Sequence, residues 1–148
     1  MSGNQAVHEK VIRVMNAVAA GTSDQNSSVV DMANWDGVKF YTAFGAITSG
    51  AVTSVKAQQA AASDASDAAD LEGSAVTVAD DDDNQIVVHD IHRPRERYVR
   101  IVVDRGTQNA VIDGIVAVLY RGRVQPTTDD STTVVARKLL ASPAEGTA

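Results

Sequence analysis

The 148-residue chain has no cysteine. A disulfide framework, a thiolate metal site and a cysteine nucleophile are therefore all excluded. Aromatics are scarce: one Trp, three Tyr and two Phe make up 4% of the residues. Any core must be built from Val, Ala and Ile, and a sugar-binding surface, which stacks aromatics on its ligand, is poorly supplied. Positive charge is short as well, with 13 Lys and Arg against 19 Asp and Glu and a formal net charge of −6. Nucleic-acid binding by phosphate neutralisation needs a basic face, so no nucleic-acid partner is expected. No apolar run approaches the ~18 residues of a membrane span, so no membrane association is expected either. Met1 to Lys10 lacks the basic-then-apolar layout of a secretory signal, which predicts a protein made in the cytoplasm and used without export.

What is present is a length suited to one domain, able to withdraw roughly 68–70% of its unfolded surface from water. With 44% hydrophobic residues, a packed core is feasible without staples. Val, Ile and Thr recur in short runs separated by Gly, Asn, Asp and Ser, the pattern of many short strands. The clearest is Gly37 to Ile47, with Val38, Phe40, Phe44 and Ala46 on one face and Lys39 and Tyr41 on the other. Gly50 marks a reversal, and Val52 to Gln58 returns with Val55 and Ala57 inward, so the two read as a hairpin. A second pair is Tyr98 to Asp104 and Val111 to Tyr120, joined by turn residues Arg105 to Asn109. The last strand is apolar on both faces, as in a strand that is central or half covered by a neighbouring subunit. Weaker strand candidates are Val29 to Met32, Ser74 to Val78, Gln85 to Ile91 and Thr132 to Ala136. Val7 to Val18 fits either a helical stripe or a strand, and its β-branched content favours the strand. Ala57 to Asp70, rich in Ala, Ser and Asp, reads as an exposed excursion between strands. The expectation is an all-β chain of about eight short strands in a single antiparallel, jelly-roll-like β-sandwich. Residues 1–6 form a flexible N-terminal arm, 7–138 the sandwich, and 139–148 a C-terminal tail or arm that orders on a neighbour.

Few residues invite chemistry. Asp80-Asp81-Asp82-Asp83-Asn84 starts like a calcium loop, but Gln85 stands where glycine is needed and Ile91 where the bidentate Glu belongs. The run reads instead as a solvated hairpin turn whose charges guard a sheet edge. His89 and His92 on a strand point to opposite faces and cannot converge on a metal, and His8 is isolated. There is no nucleophile elbow and no phosphate-cradling glycine loop. No catalytic residue, metal ligand or cofactor is assigned, and the chain is read as non-enzymatic. Interface candidates remain. Arg93, Arg95, Arg97 and Arg100 form the one dense basic cluster, and guanidinium forks pair bidentately with carboxylates of a partner or of another copy. Trp35, just before the best strand, is either a lid on the core or an exposed anchor.

Three stretches together carry a resemblance. They are Asp36-Gly37-Val38-Lys39-Phe40 continuing to Phe44-Gly45-Ala46-Ile47-Thr48-Ser49-Gly50-Ala51-Val52, then Asp70-Leu71-Glu72-Gly73 leading to Val76-Thr77-Val78-Ala79-Asp80, and Arg93-Pro94-Arg95-Glu96-Arg97-Tyr98-Val99-Arg100. Over roughly residues 7 to 145 the chain resembles small virion proteins of tailed bacteriophages and prophages, of the capsid decoration (cement) type. The resemblance implies a location on the capsid exterior, with the major capsid protein as partner. It also implies self-association as a homotrimer or other small cyclic oligomer. It assigns no residue roles. A neck, tail or head-fibre component is the nearest alternative, and a carbohydrate-binding β-sandwich a more distant one.

Overall fold

A computed structural model describes residues 3–106 and 109–148. Among these, a 3-10 turn (Gln5–His8) precedes eleven strands. They are β1 (Glu9–Met15), β2 (Val18–Gly21), β3 (Gln25–Asn26), β4 (Val30–Asp31), β5 (Gly37–Ile47), β6 (Thr53–Ala60), β7 (Ala69–Asp70), β8 (Val76–Val78), β9 (Ile86–His92), β10 (Tyr98–Arg105) and β11 (Ala110–Tyr120). Two antiparallel sheets pack face to face. One runs β1-β11-β5-β9, with β2 also on β11; the other runs β3-β10-β6-β7, with β4 on β10 and β8 on β6. The expected all-β sandwich is what folds, and the ambiguous segment 7–18 is largely strand. Several short strands escaped the sequence reading because two-residue bridges have no periodicity to detect.

The core lies between the sheets. Phe40 and Phe44 of β5 meet Val55 and Ala57 of β6, Val99, Ile101 and Val103 of β10, and Ile115, Ala117 and Leu119 of β11, all buried. Each of these side chains larger than alanine contributes roughly 1.5–3 kcal/mol on burial. Val55 and Ala57 of β6 point inward as expected, and β11, apolar on both faces, is central to its sheet. In β5 the alternation slips: Ala46 is exposed and Ile47 buried. The cause is a bulge, since Ala110 pairs with Ile47 but Ile112 with Phe44. A second shift on β11, around Asp113 and Gly114, restores the register. Gly114 takes φ 146 there, a conformation that glycine adopts without penalty.

Three expected features are corrected. Neither strong strand pair is a hairpin: β5 and β6 lie in different sheets, and so do β10 and β11. In each pair the chain passes from one sheet to the other instead of joining neighbours, and alternation cannot separate the two geometries because inward faces are the same in both. Of the expected turn 105–109, Thr107 and Gln108 lie outside the described residues, while Arg105 ends β10 with its side chain buried. The Asp80–Asp83 run is likewise a sheet-to-sheet link, from β8 to β9. Its carboxylates hold main chain: Asp80 accepts from Gly50 N–H at 2.6 Å, Asp82 from Ala79 N–H at 2.8 Å, and Asp83 from Ile47 N–H. Thr132 to Ala136 is not a strand. Instead, residues 127–133 lie alongside β1 in the same direction: Thr127 N–H donates to Val7 O (3.0 Å), Asp130 N–H to Val11 O (3.2 Å), and Arg13 N–H to Thr133 Oγ1 (3.1 Å). Asp and Thr side chains do much of the bonding, so regular pairing does not form.

Two arginines fasten the chain. Arg105, 2% exposed, is satisfied by carbonyls: Nε donates to Ser23 O (2.9 Å), and Nη1 to Ala19 O (2.7 Å) and Ala110 O (2.9 Å). Arg137 clamps the segment beside β1, donating to Asp129 Oδ2 (2.7 Å), to Glu9 O (2.8 Å) and to Ala6 O. The carbonyl of Ala6, a residue expected in the N-terminal arm, also accepts from Thr127 Oγ1 at 3.4 Å.

Candidate functional site

The turn between β4 and β5 and the turn between β9 and β10 come together at one end of the sandwich. Met32 N–H donates to Arg97 O (2.8 Å), Arg93 N–H to Asp36 O (2.7 Å), and Arg123 N–H to Asn34 O (3.0 Å). These cross-links enclose a surface cleft of about 550 Å³ whose walls carry Trp35, Arg93, Arg95, Arg97 and Arg123. Asn34 (φ 68) and Arg93 (φ 50) sit in the left-handed region at its rim. Asn tolerates that conformation; Arg adopts it at a cost of about 1–2 kcal/mol, offset here by the bond to Asp36.

The four guanidiniums are not equivalent. Arg97 forks onto Asp31, Nε to Oδ1 and Nη2 to Oδ2, each at 2.9 Å, and lies 5.4 Å from the Tyr98 ring centroid. That hydrogen bond holds the Asp31 carboxyl below its usual range. Arg123 reaches Asp36 at 3.9 Å. Among the described residues, the Arg93 and Arg95 side chains make no hydrogen bond or ion pair, although Arg95 N–H is fixed by Gln59 Oε1 at 3.2 Å. The cleft thus presents two guanidiniums without an ion-pair partner beside an indole, with the Asp36 and Glu96 carboxylates also in its lining. A carboxylate or other oxyanion matches that chemistry, because each fork offers paired donors to two oxygens.

Trp35 is the lid on the core that was one of its two expected roles, and it also borders the cleft. Its ring packs against the core and over Gly122, where a Cβ would come within 2.8 Å of the indole, and its free edge lines the cleft. Arg100 stands apart. It lies on the polar outer face of the six-stranded sheet and donates to Gln58 Oε1 at 2.9 Å, beside the Lys56–Asp70 pair at 2.9 Å. Sequence adjacency grouped it with the others, but strand β10 carries it away from them.

Arg123 was missed because it is thirty residues distant from the cluster in sequence. So was a second group, on the outer face of the five-stranded sheet. Tyr120 Oη donates to Asp90 Oδ1 at 2.6 Å, and His92 stacks on the Tyr120 ring with centroids 6.4 Å apart and planes within 5°. Partial burial, reinforced by Asp90, pushes the Tyr120 phenol up to about 12. Gly37 makes this possible, since a Cβ there would fall inside the Tyr120 ring. His89 faces the core and bonds Ser74 O through Nε2 at 2.7 Å, so the two histidines point apart. Among the described residues no cluster of three or more His, Asp or Glu is placed to hold a metal ion, and no helix is long and apolar enough to cross a membrane.

No protein-family model matches the chain, and no curated protein is similar to it.

Proposed function

We propose that the protein is a non-enzymatic structural component of a tailed-phage virion, a decoration protein that binds the outer surface of the capsid through the Arg93–Arg95 cleft. The observation that carries the reading is the concentration of unpaired positive charge around Trp35 at one end of a protein whose net charge is −6. A rigid sandwich with one basic, indole-edged end is suited to docking on carboxylate-bearing loops of the major capsid protein. A buried aromatic with flanking arginines is the composition typical of an interface anchor. Many copies on a repeating lattice gain avidity, so each contact need only be modest. By bridging adjacent capsid subunits the protein would raise the resistance of the shell to heat and internal pressure.

The test is binding of the pure protein to empty heads by co-sedimentation, at two salt concentrations. Arg93→Glu with Arg95→Glu should weaken binding at least tenfold while leaving the folded spectrum unchanged, and added salt should weaken the native contact. Stripped heads should lose heat resistance and regain it on readdition. Label confined to one vertex of intact virions would instead assign a neck or tail position, and wild-type protein that fails to sediment with heads would sink the capsid reading.

A further inference from the structure

The sandwich closes one edge of its five-stranded sheet and leaves the other open. Segment 127–133 covers β1. Among the described residues nothing pairs with the outer edge of β9. The phase of that edge follows from two bonds that bracket the β5–β9 ladder: Phe44 N–H to Gln85 O (3.0 Å) and Arg93 N–H to Asp36 O (2.7 Å). With that phase Val87, His89 and Ile91 bond to β5. Ile86, Val88, Asp90 and His92 direct their N–H and C=O groups off the sheet. Most of the usual protections are missing, for β9 has no Lys, Pro or bulge, and Asp90 is the one carboxylate on it. Ile86 and Val88 on it are 59% and 53% exposed.

The chain also carries a segment with nothing to bind. Residues 138–148 are exposed throughout and, among the described residues, make no hydrogen bond or ion pair. They begin Lys138-Leu139-Leu140-Ala141-Ser142, and Leu140 is 57% exposed. We propose that residues 138–142 of one copy add as an antiparallel strand to the β9 edge of a second copy, with Lys138 opposite Asp90 and Leu140 opposite Val88. In this register the two outward-facing residues of each strand, spaced two apart, match in charge and in apolar character. Leu139 then turns to the other face, toward the seam with β8. There Val76 is 40% exposed and a cavity of about 160 Å³ is lined by Phe44, Val78 and Val87.

The partner must be another copy. Lys138 follows Arg137, which is clamped to the carbonyls of Ala6 and Glu9 beside β1. β9 lies three strands away, about 14 Å at ordinary strand spacing, whereas successive Cα atoms are about 3.8 Å apart. The contact is heterologous, arm to edge, so copies close into a ring or extend as a filament. It gives a physical form to the self-association that the sequence resemblance implies but rests on these residues alone.

Absence of cysteine makes the test clean. Singly substituted Val88→Cys and Leu140→Cys proteins, mixed and mildly oxidised, should cross-link, because a hydrogen-bonded antiparallel pair places Cα atoms ~5.5 Å apart, within disulfide range. Leu139→Cys, facing the opposite side, should cross-link to Val88→Cys at least fivefold less. By light scattering at about 100 μM, the full chain should exceed monomer mass, and the chain ending at Arg137 and the Leu140→Asp variant should be monomers. Equal cross-linking of the two leucine positions, a monomeric full chain, or an armless chain that keeps the full chain's mass would each overturn the proposal. Head binding is scored separately, so its failure leaves the cross-linking result intact.

Discussion

Replacing Arg105 by alanine should be among the most damaging single changes outside the apolar core. The guanidinium serves three carbonyls, Ala19, Ser23 and Ala110, and ties the β2–β3 link to the ends of β10 and β11. A hydrogen bond from a charged donor contributes about 1.5–3 kcal/mol, so three give an upper bound near 9 kcal/mol. Water entering the vacated space rehydrates much of this, and the net loss should be about 3–5 kcal/mol. With a urea m-value of about 2 kcal/mol/M for a domain of this size, the midpoint should fall by roughly 2 M at unchanged slope. Arg105→Lys places one ammonium where a planar fork stood and should lose about half as much. Equilibrium urea unfolding followed by circular dichroism and Trp35 fluorescence measures both. A loss under about 1 kcal/mol for the alanine variant would refute the reasoning, since it would mean these carbonyls are satisfied without the arginine.

Other outcomes follow from the same bonds. Arg137→Met should free residues 122–137 from β1, seen as new protease cleavage there and loss of amide protection at Val11 and Thr127. Gly37→Ala should displace the Tyr120 ring; its phenol, held at about 12, should then fall toward the ordinary tyrosine value of about 10 in an ultraviolet titration. Asp104 shares a hydrogen bond with the Asp24 carboxyl, which raises its pKa. A folded-state value above the unfolded one favours folding at low pH and is lost as pH rises through the raised value, leaving two like charges. Asp104→Asn should therefore raise Tm at pH 7 and change it little at pH 3.5. Conversely, Asp31, held low by its bond to Arg97, stabilises above its unfolded pKa, and Arg97→Gln should remove that increment at pH 7 but not at pH 2.

The strong strands were legible because alternation of aliphatic and polar residues is a local signal. Val99, Ile101 and Val103 announce an inward face wherever β10 is placed. Pairing was not legible. β5 and β6 read as neighbours, yet β5 pairs with β9 and β11 and β6 with β7, β8 and β10, since the distance the chain spans between strands is not encoded in their alternation. The bulge at Gly45–Ala46 escaped for a related reason: an extra residue is seen only against its partner strand. Of the candidate site, Arg93, Arg95, Arg97 and Trp35 do gather in one cleft. Arg100 does not, because at strand spacing its side chain is fixed to the outer face of the sheet, and Arg123 joins from a distant turn. Arg105 looked like a turn residue because a buried arginine answered by three carbonyls and one serine hydroxyl has no charged companion in the sequence to betray it.

β1 finds both its neighbours, β11 and the segment 127–133, only near the opposite end of the polypeptide. During synthesis its residues therefore leave the ribosome about a hundred codons ahead of the β11 residues they pair with, although Val14 O meets Ser28 N–H early. Until then the five-stranded sheet lacks its middle, and the inward side of β5 has no cover from β11. Completion of this sandwich is thus a late event, timed by the emergence of residues 110–137.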